Sequence, residues 1–263
     1  YDAPVKHGAP SGAGLQLATK EYQVCLKCHS NFGYENAQIG SGVGQVSNTA
    51  MELLPDNGDP ANLPNHNSWH PVAGATGRTT RLASNNFLSP FDVGVGTQTM
   101  YCSDCHTSTN DPSAGAVGPH GSTHSTGLVK NWDVNTGTGS TNDLCFECHE
   151  YDQYANGTPA TTKDSDFSCN VGSGCGGVAF TNLHVTHASK PDMDINAAGT
   201  QNYTCSLCHV RVSHGWKNKG MLVDKITEAA NTRYYFNTAQ LAIDTMRASG
   251  QWEKNDCATS GCH

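Results

Sequence analysis

Five times along the chain a cysteine pair runs directly into a histidine. The stretches are CLKCH (Cys25, Cys28, His29), CSDCH (Cys102, Cys105, His106), CFECH (Cys145, Cys148, His149), CSLCH (Cys205, Cys208, His209) and CATSGCH (Cys257, Cys262, His263). Four have the spacing C-x-x-C-H, and the fifth has four residues between its cysteines. Two thiols at this spacing add to the two vinyl groups of a porphyrin, and the histidine that follows falls beneath the iron as its proximal ligand. The pattern reads as covalent attachment of haem c, and the longer spacing is a variant of it. Zinc ribbons also use C-x-x-C pairs, but zinc does not require a histidine at a fixed place after the second cysteine. Iron–sulfur clusters want cysteines without the appended histidine.

Ten of the twelve cysteines fall in these motifs. The other two, Cys169 and Cys175, stand in CNVGSGC, where a short glycine-rich loop can bring them together. They read as a disulfide, with free thiols or a stray metal site as the alternatives. An exported chain is expected, since haem c is attached outside the cytoplasm. The polar start at Tyr1 reads as a mature, processed form.

What each iron does depends on its second axial ligand. Beyond the five motif histidines there are eight more: His7, His66, His70, His120, His124, His184, His187 and His214. Supply exceeds demand, so all five irons can be bis-histidine, closed to substrate and suited to passing electrons. Methionine is scarce, with five in the chain, and bis-histidine ligation lacks the upward potential shift that a methionine ligand gives. Low potentials follow. His184 and His187 in NLHVTH are three apart and share a face of a helical turn, so they can serve two haems side by side. His70 precedes Pro71, which biases it to an extended conformation. His120 in GPHGS sits in a turn framed by glycine and proline. His214 follows His209 too closely to reach the other face of the same haem and suits a neighbouring one. His66, His124 and His7 are less framed, and surface roles suit His66 and His124.

The rest of the sequence must hold these groups in place, and it has little to do so with. Hydrophobic residues are 36% and charged residues 14%, against about 45–50% and about 25% in an ordinary globular domain. Glycine, at 28 residues, and the many Asn, Thr and Ser favour loops and turns. Such a chain cannot build a large aliphatic core from its own side chains, so the haems must supply it. The expected fold is mostly irregular coil with short α-helices and few strands, a multihaem cytochrome c wrapped around a chain of haems. Short helices should carry the motifs in ATKEYQVCLKCH and TNDLCFECH. NTAQLAIDTMRAS, about 238–249, is the best helix on pattern, stopped by Gly250, and GMLVD reads as a brief strand. The motif spacings are uneven, so no solenoid is implied. The expected organisation is a single elongated pentahaem domain over 1–263. Within it, 18–224 forms a four-haem core, and 225–263 adds a C-terminal helix and a fifth haem.

Net charge is −8, with no run of Lys or Arg, so nucleic acid has no electrostatic footprint here. No apolar stretch approaches the length of a membrane span. Each haem adds two propionates, and mutual repulsion should spread the five potentials.

The stretches EYQVCLKCHS, SWHPV, YCSDCH followed by GPHGS, LCFECHEYDQY, NLHVTH and CSLCHVRVSHGWKNKGML come in an order that resembles the extracellular multihaem c-type cytochromes of metal-reducing bacteria. Some of these are similar to the subunits of cytochrome filaments, or nanowires. The resemblance spans about residues 18–224. It implies that His70, His120, His184, His187 and His214 are distal haem ligands. Filament subunits of that kind carry four or six haems, so five here is a departure. In such filaments the haems form one continuous stack, and a subunit can lend a distal histidine to the next. The resemblance therefore implies that His7 caps a haem across a subunit junction, with the haem of Cys257, Cys262 and His263 near the other terminus.

Three functions compete at this level. The first is a polymerising conductor that moves electrons to extracellular acceptors at the cell surface. It self-associates, with haem ligation between subunits. The second is a soluble periplasmic or cell-surface electron carrier with the same haems and no polymer. The third is a multihaem reductase, for which an open haem and a variant motif with lysine in place of the proximal histidine are expected. None of the five motifs has that lysine, so no enzyme is expected.

Overall fold

The computed structural model describes residues 18–26, 29, 68–72, 74–79, 84–109, 118–132, 140–156, 165–170, 180–188, 205–209, 214–216, 218–224, 243, 252–253 and 256. Regular structure within them comes in very short pieces. Four single-turn or slightly longer helices are α1 (Glu21–Cys25), α2 (Cys102–Cys105), α3 (Tyr151–Tyr154) and α4 (Leu183–Ala188). Tighter 3₁₀ turns cover Leu144–Glu147 and Cys205–Leu207. Strands β1 (Ser68–Trp69) and β4 (Gly215–Trp216) form an antiparallel ribbon. Strand β2 (Phe167–Asn170) pairs antiparallel with β3 (Phe180–Asn182) and parallel with β5 (Trp252–Glu253).

Helices this short cannot stand alone in water, so each is fixed by a contact from elsewhere. α1 packs against α2, and the Glu21 carboxylate accepts from the backbone amide of Ser103 at 3.1 Å. An acid at a helix N-terminus satisfies an orphan N–H and meets the positive end of the dipole. α4 is capped by Asn182, whose Oδ1 accepts from the amides of His184 (3.1 Å) and Val185 (3.4 Å). The Asn182 Nδ2 donates to the Gln153 carbonyl at 2.8 Å, tying α4 to the end of α3. Leu183 and Val185 of α4 are buried.

The β1–β4 ribbon joins residues far apart in the chain. Ser68 faces Trp216 and Trp69 faces Gly215, and the His70 amide donates to the His214 carbonyl at 3.2 Å. Ser68 donates through Oγ to the Asn218 carbonyl (2.6 Å) and accepts from the Met221 amide (2.9 Å). The Trp216 indole N–H and the Asn218 side-chain amide both donate to the Leu222 carbonyl.

Among the described residues the buried apolar set is small: Leu26, Leu128, Phe146, Leu183, Val185, Leu207, Trp216, Leu222 and Val223 are its main members. Buried polar residues such as Ser68, Asn86, Asp143, Asn182 and Ser206 are almost as numerous. Three local expectations meet the structure here. GMLVD begins within a 3₁₀ turn at Lys219–Met221, and Leu222 then bridges antiparallel to His209. Of the helix expected over 238–249, only Ile243 is described, and it sits in an isolated bridge rather than a helical turn. Its amide donates to Asp224 Oδ1 and its β-branched side chain packs against Leu222, so tertiary contact overrides local helix propensity there. Cys169 lies in β2 while Cys175 falls outside the described residues, as does the Cys169–Cys175 pairing itself.

Candidate haem sites

Each described C-x-x-C-H motif closes with the same hydrogen bond. The histidine amide donates to the carbonyl of the first cysteine: His29 to Cys25 (3.0 Å), His106 to Cys102 (2.8 Å), His149 to Cys145 (2.9 Å) and His209 to Cys205 (2.9 Å). A four-residue step is one helical turn, so the two cysteines and the histidine lie on one face. α2 and the two 3₁₀ turns are therefore the local shape that the motif itself demands, while α1 ends at Cys25, the first residue of its motif.

Four more histidines then come to meet these four. His29 faces His120 with ring centres 6.2 Å apart, His106 faces His214 at 6.1 Å, His149 faces His70 at 6.5 Å, and His209 faces His184 at 6.2 Å. A histidine–metal bond of about 2 Å on each side, plus about 1.1 Å from ring nitrogen to ring centre, sets two imidazoles on opposite faces of one ion about 6.2 Å apart. All four gaps match that spacing, so the residues present fit haem c with iron between paired imidazoles. Zinc would want three or four ligands gathered together, and among the described residues no group of three His, Cys, Asp or Glu is arranged to hold a metal ion.

The electrostatics favour ligation too. Burial holds the imidazoles of His29, His106, His184 and His209 below their ordinary range and takes that of His149 down to about 3. These rings stay neutral near pH 7 and keep a lone pair for a metal. Several have their other nitrogen fixed. His106 Nδ1 meets the Thr126 carbonyl at 3.1 Å, and His209 Nδ1 meets the Gly220 carbonyl at 2.8 Å. A carbonyl only accepts, so in both rings Nδ1 carries the proton and Nε2 is left to ligate. His184 Nδ1 lies 2.7 Å from Ser165 Oγ. The Ser165 hydroxyl donates to Asn182 Oδ1 at 2.8 Å, so the histidine is the donor here as well.

The sites adjoin one another through their cysteines. The Cys25 thiol is hydrogen-bonded to that of Cys102, which holds Cys25 down to about 7 and raises Cys102. Cys145 and Cys205 are hydrogen-bonded in the same way. Burial raises both Cys105 and Cys148, and the charge of Cys105 adds to the rise at Cys148. The first site thus touches the second, the second is next to the third, and the third touches the fourth. Aromatic rings line the last step: Tyr154 packs edge-on against both His149 (5.2 Å) and His184 (5.1 Å). Phe167 packs edge-on against His184 (5.2 Å) and stacks on His187 (5.6 Å).

Of the expected site residues, Cys25, His29, Cys102, Cys105, His106, Cys145, Cys148, His149, Cys205, Cys208 and His209 are described, and His70, His120, His184 and His214 meet them. His187 stands one turn along α4 from His184, with Nδ1 2.6 Å from the Leu183 carbonyl, and belongs to none of the four pairs. His124 precedes the Ser125–Gly127 turn, with its amide on Ser122 Oγ, and is likewise outside the pairs. Cys28, Cys257, Cys262, His263, His7 and His66 lie outside the described residues. Sequence reasoning missed Ser165, Asn182, Thr126 and Gly220, the residues that orient the ligands.

Residues 93–154 match the protein family described as the doubled CXXCH motif. The matched span holds the second and third sites. A doubled motif of this kind implies covalently bound haem c and electron transfer, and points to a multihaem c-type cytochrome acting as an electron carrier. No curated protein and no solved structure matches the chain.

Proposed function

We propose that the chain is a pentahaem cytochrome that conducts electrons through bis-histidine haem c groups outside the cell, as the repeating subunit of a cytochrome filament. The single observation that carries the bis-histidine reading is the set of four imidazole pairs at 6.1–6.5 Å. Haem iron supplies reversible one-electron chemistry when bound. The chain's contribution is to close both axial positions with histidine, which leaves no coordination site for a substrate and disfavours an enzymatic role. Cys25, Cys102, Cys105, Cys145, Cys148, Cys205 and Cys208, with Cys28, would anchor the first four groups. Cys257, Cys262 and His263 would hold the fifth. Contacts between successive sites keep the holders of neighbouring groups in chain order. The short elements and few buried apolar side chains among the described residues suit a fold wrapped around such groups.

The filament and its extracellular setting rest on the likeness of the motif order over about 18–224 to filament subunits. A soluble carrier with the same sites is the second reading. Mass spectrometry of the purified protein tests the haem count, with five covalent additions expected. Electron paramagnetic resonance should show low-spin ferric haem only, and a high-spin signal from an open site would refute the closed-site reading. Electron microscopy of the exported protein separates filament from dispersed carrier.

A further inference from the structure

Resting on that bis-histidine reading, we propose that His149 is a tuning ligand, which makes the haem of Cys145 and Cys148 the first to take up an electron relative to its neighbour on Cys205 and Cys208. Two features of the chain bear on this, and the first carries it.

The first is hydrogen bonding to the ring nitrogen that faces away from the iron. In the fourth site both imidazoles have an oxygen there, Gly220 for His209 and Ser165 for His184. Such a bond pulls on the Nδ1 proton and makes the ring a stronger donor. A stronger donor stabilises the ferric ion and lowers the potential. His149 is different: its Nδ1 is buried and has no hydrogen-bond partner. It stays a weaker donor, and its iron holds an electron more readily.

The second is what surrounds the ring. Phe87 lies 5.1 Å from His149, and Tyr154 packs edge-on at 5.2 Å. The backbone of Phe87 bridges that of His149, and the amide of Leu88 donates to the Cys148 carbonyl, so this wall is fixed. Apolar walls disfavour the extra positive charge of the ferric state, but Tyr154 and Phe167 wall His184 at 5.1 and 5.2 Å in the same way, so the missing hydrogen bond is what separates the two sites. Among nearby charges, buried Asp143 acts on both Cys145 and Cys205, while Asp104 and Glu147, the latter paired with Lys130 at 2.9 Å, act on Cys148. The exchange is one electron with no proton: the iron at the fourth site goes from ferrous to ferric as the iron at the third goes from ferric to ferrous.

The test is a redox titration of the intact holoprotein followed by nuclear magnetic resonance. Haems are assigned by contacts of their methyl groups with Phe87 for the third site and with Phe167 for the fourth. The third site should reduce first, with an exchange constant of tenfold or more in its favour, which is about 59 mV for one electron. A third site equal to or below the fourth would overturn the proposal. The Ser165→Ala variant removes the acceptor from His184 and should narrow the gap severalfold by raising the fourth site alone. Movement of both sites together would overturn it, because a change in local field would then explain the difference. A high-spin signal in the untouched protein would instead overturn the bis-histidine reading beneath it.

Discussion

His184 and His209 face each other with ring centres 6.2 Å apart and planes only 13° from parallel. Each ring is held by a separate anchor. Gly220, whose φ is +68°, turns its carbonyl toward His209 at 2.8 Å. Ser165 and Asn182 form a relay behind His184. Nothing ties the two rings to each other directly, so the gap between them is set by the fold.

Removing one side of this gap should open one site and leave the rest closed. His184→Ala is expected to convert a single haem from low spin to high spin, visible by electron paramagnetic resonance. His184→Met should instead keep it low-spin and raise its potential, as methionine ligation does. A change spread over all the haems would contradict a one-to-one pairing.

Asn182 is fully buried and makes four of the hydrogen bonds that seat α4. Loss of a helix cap alone costs about 0.5–2 kcal/mol, and stranding the buried Gln153 carbonyl adds about 1–3 kcal/mol. Asn182→Ala should therefore destabilise the protein by about 2–4 kcal/mol in denaturant unfolding. Asn182→Asp keeps the cap and should recover part of the loss.

Gly127 has φ +71°, and a side-chain carbon there would lie against the Pro119 carbonyl oxygen, well inside van der Waals contact. It follows Thr126, which orients His106, and it is beside the turn that carries His120. Gly127→Ala should cost more than about 1 kcal/mol. It should also broaden the spectra of the first and second sites more than those of the third and fourth, as judged by magnetic resonance.

Withholding haem is the harshest test. The buried apolar set among the described residues is small, and ordering each residue costs about 1–2 kcal/mol of backbone entropy, so the chain is expected to need its haems to fold. Chain produced without haem attachment should show no cooperative thermal transition by circular dichroism. The mature protein should melt cooperatively, and a cooperative apo chain would argue for a self-sufficient core.

How far the sequence alone reached depends on distance along the chain. Each motif carries its own geometry, because Cys25 and His29, or Cys205 and His209, are one helical turn apart and need no other part of the protein. The distal histidines His70, His120, His184 and His214 could be marked by their local frames, yet their partners could not. That His70 meets His149 while His214 meets His106 depends on a ribbon joining residues about 150 positions apart, which no local pattern encodes. Ser165 was invisible for a related reason. A serine becomes an imidazole anchor only when β2 and β3 bring residues 17 and 19 positions away beside it. Ile243 shows the opposite failure, since a sound helical pattern yielded at that residue to a contact with Leu222.

The two-residue ribbon has a mechanical consequence. One strand ends just before His70 and the other begins just after His214, and the His70 amide donates to the His214 carbonyl. They face His149 and His106, which belong to adjacent sites. The ribbon thus works like a rivet through two overlapping plates. Strain that pulls it loose slackens both central gaps in the same event.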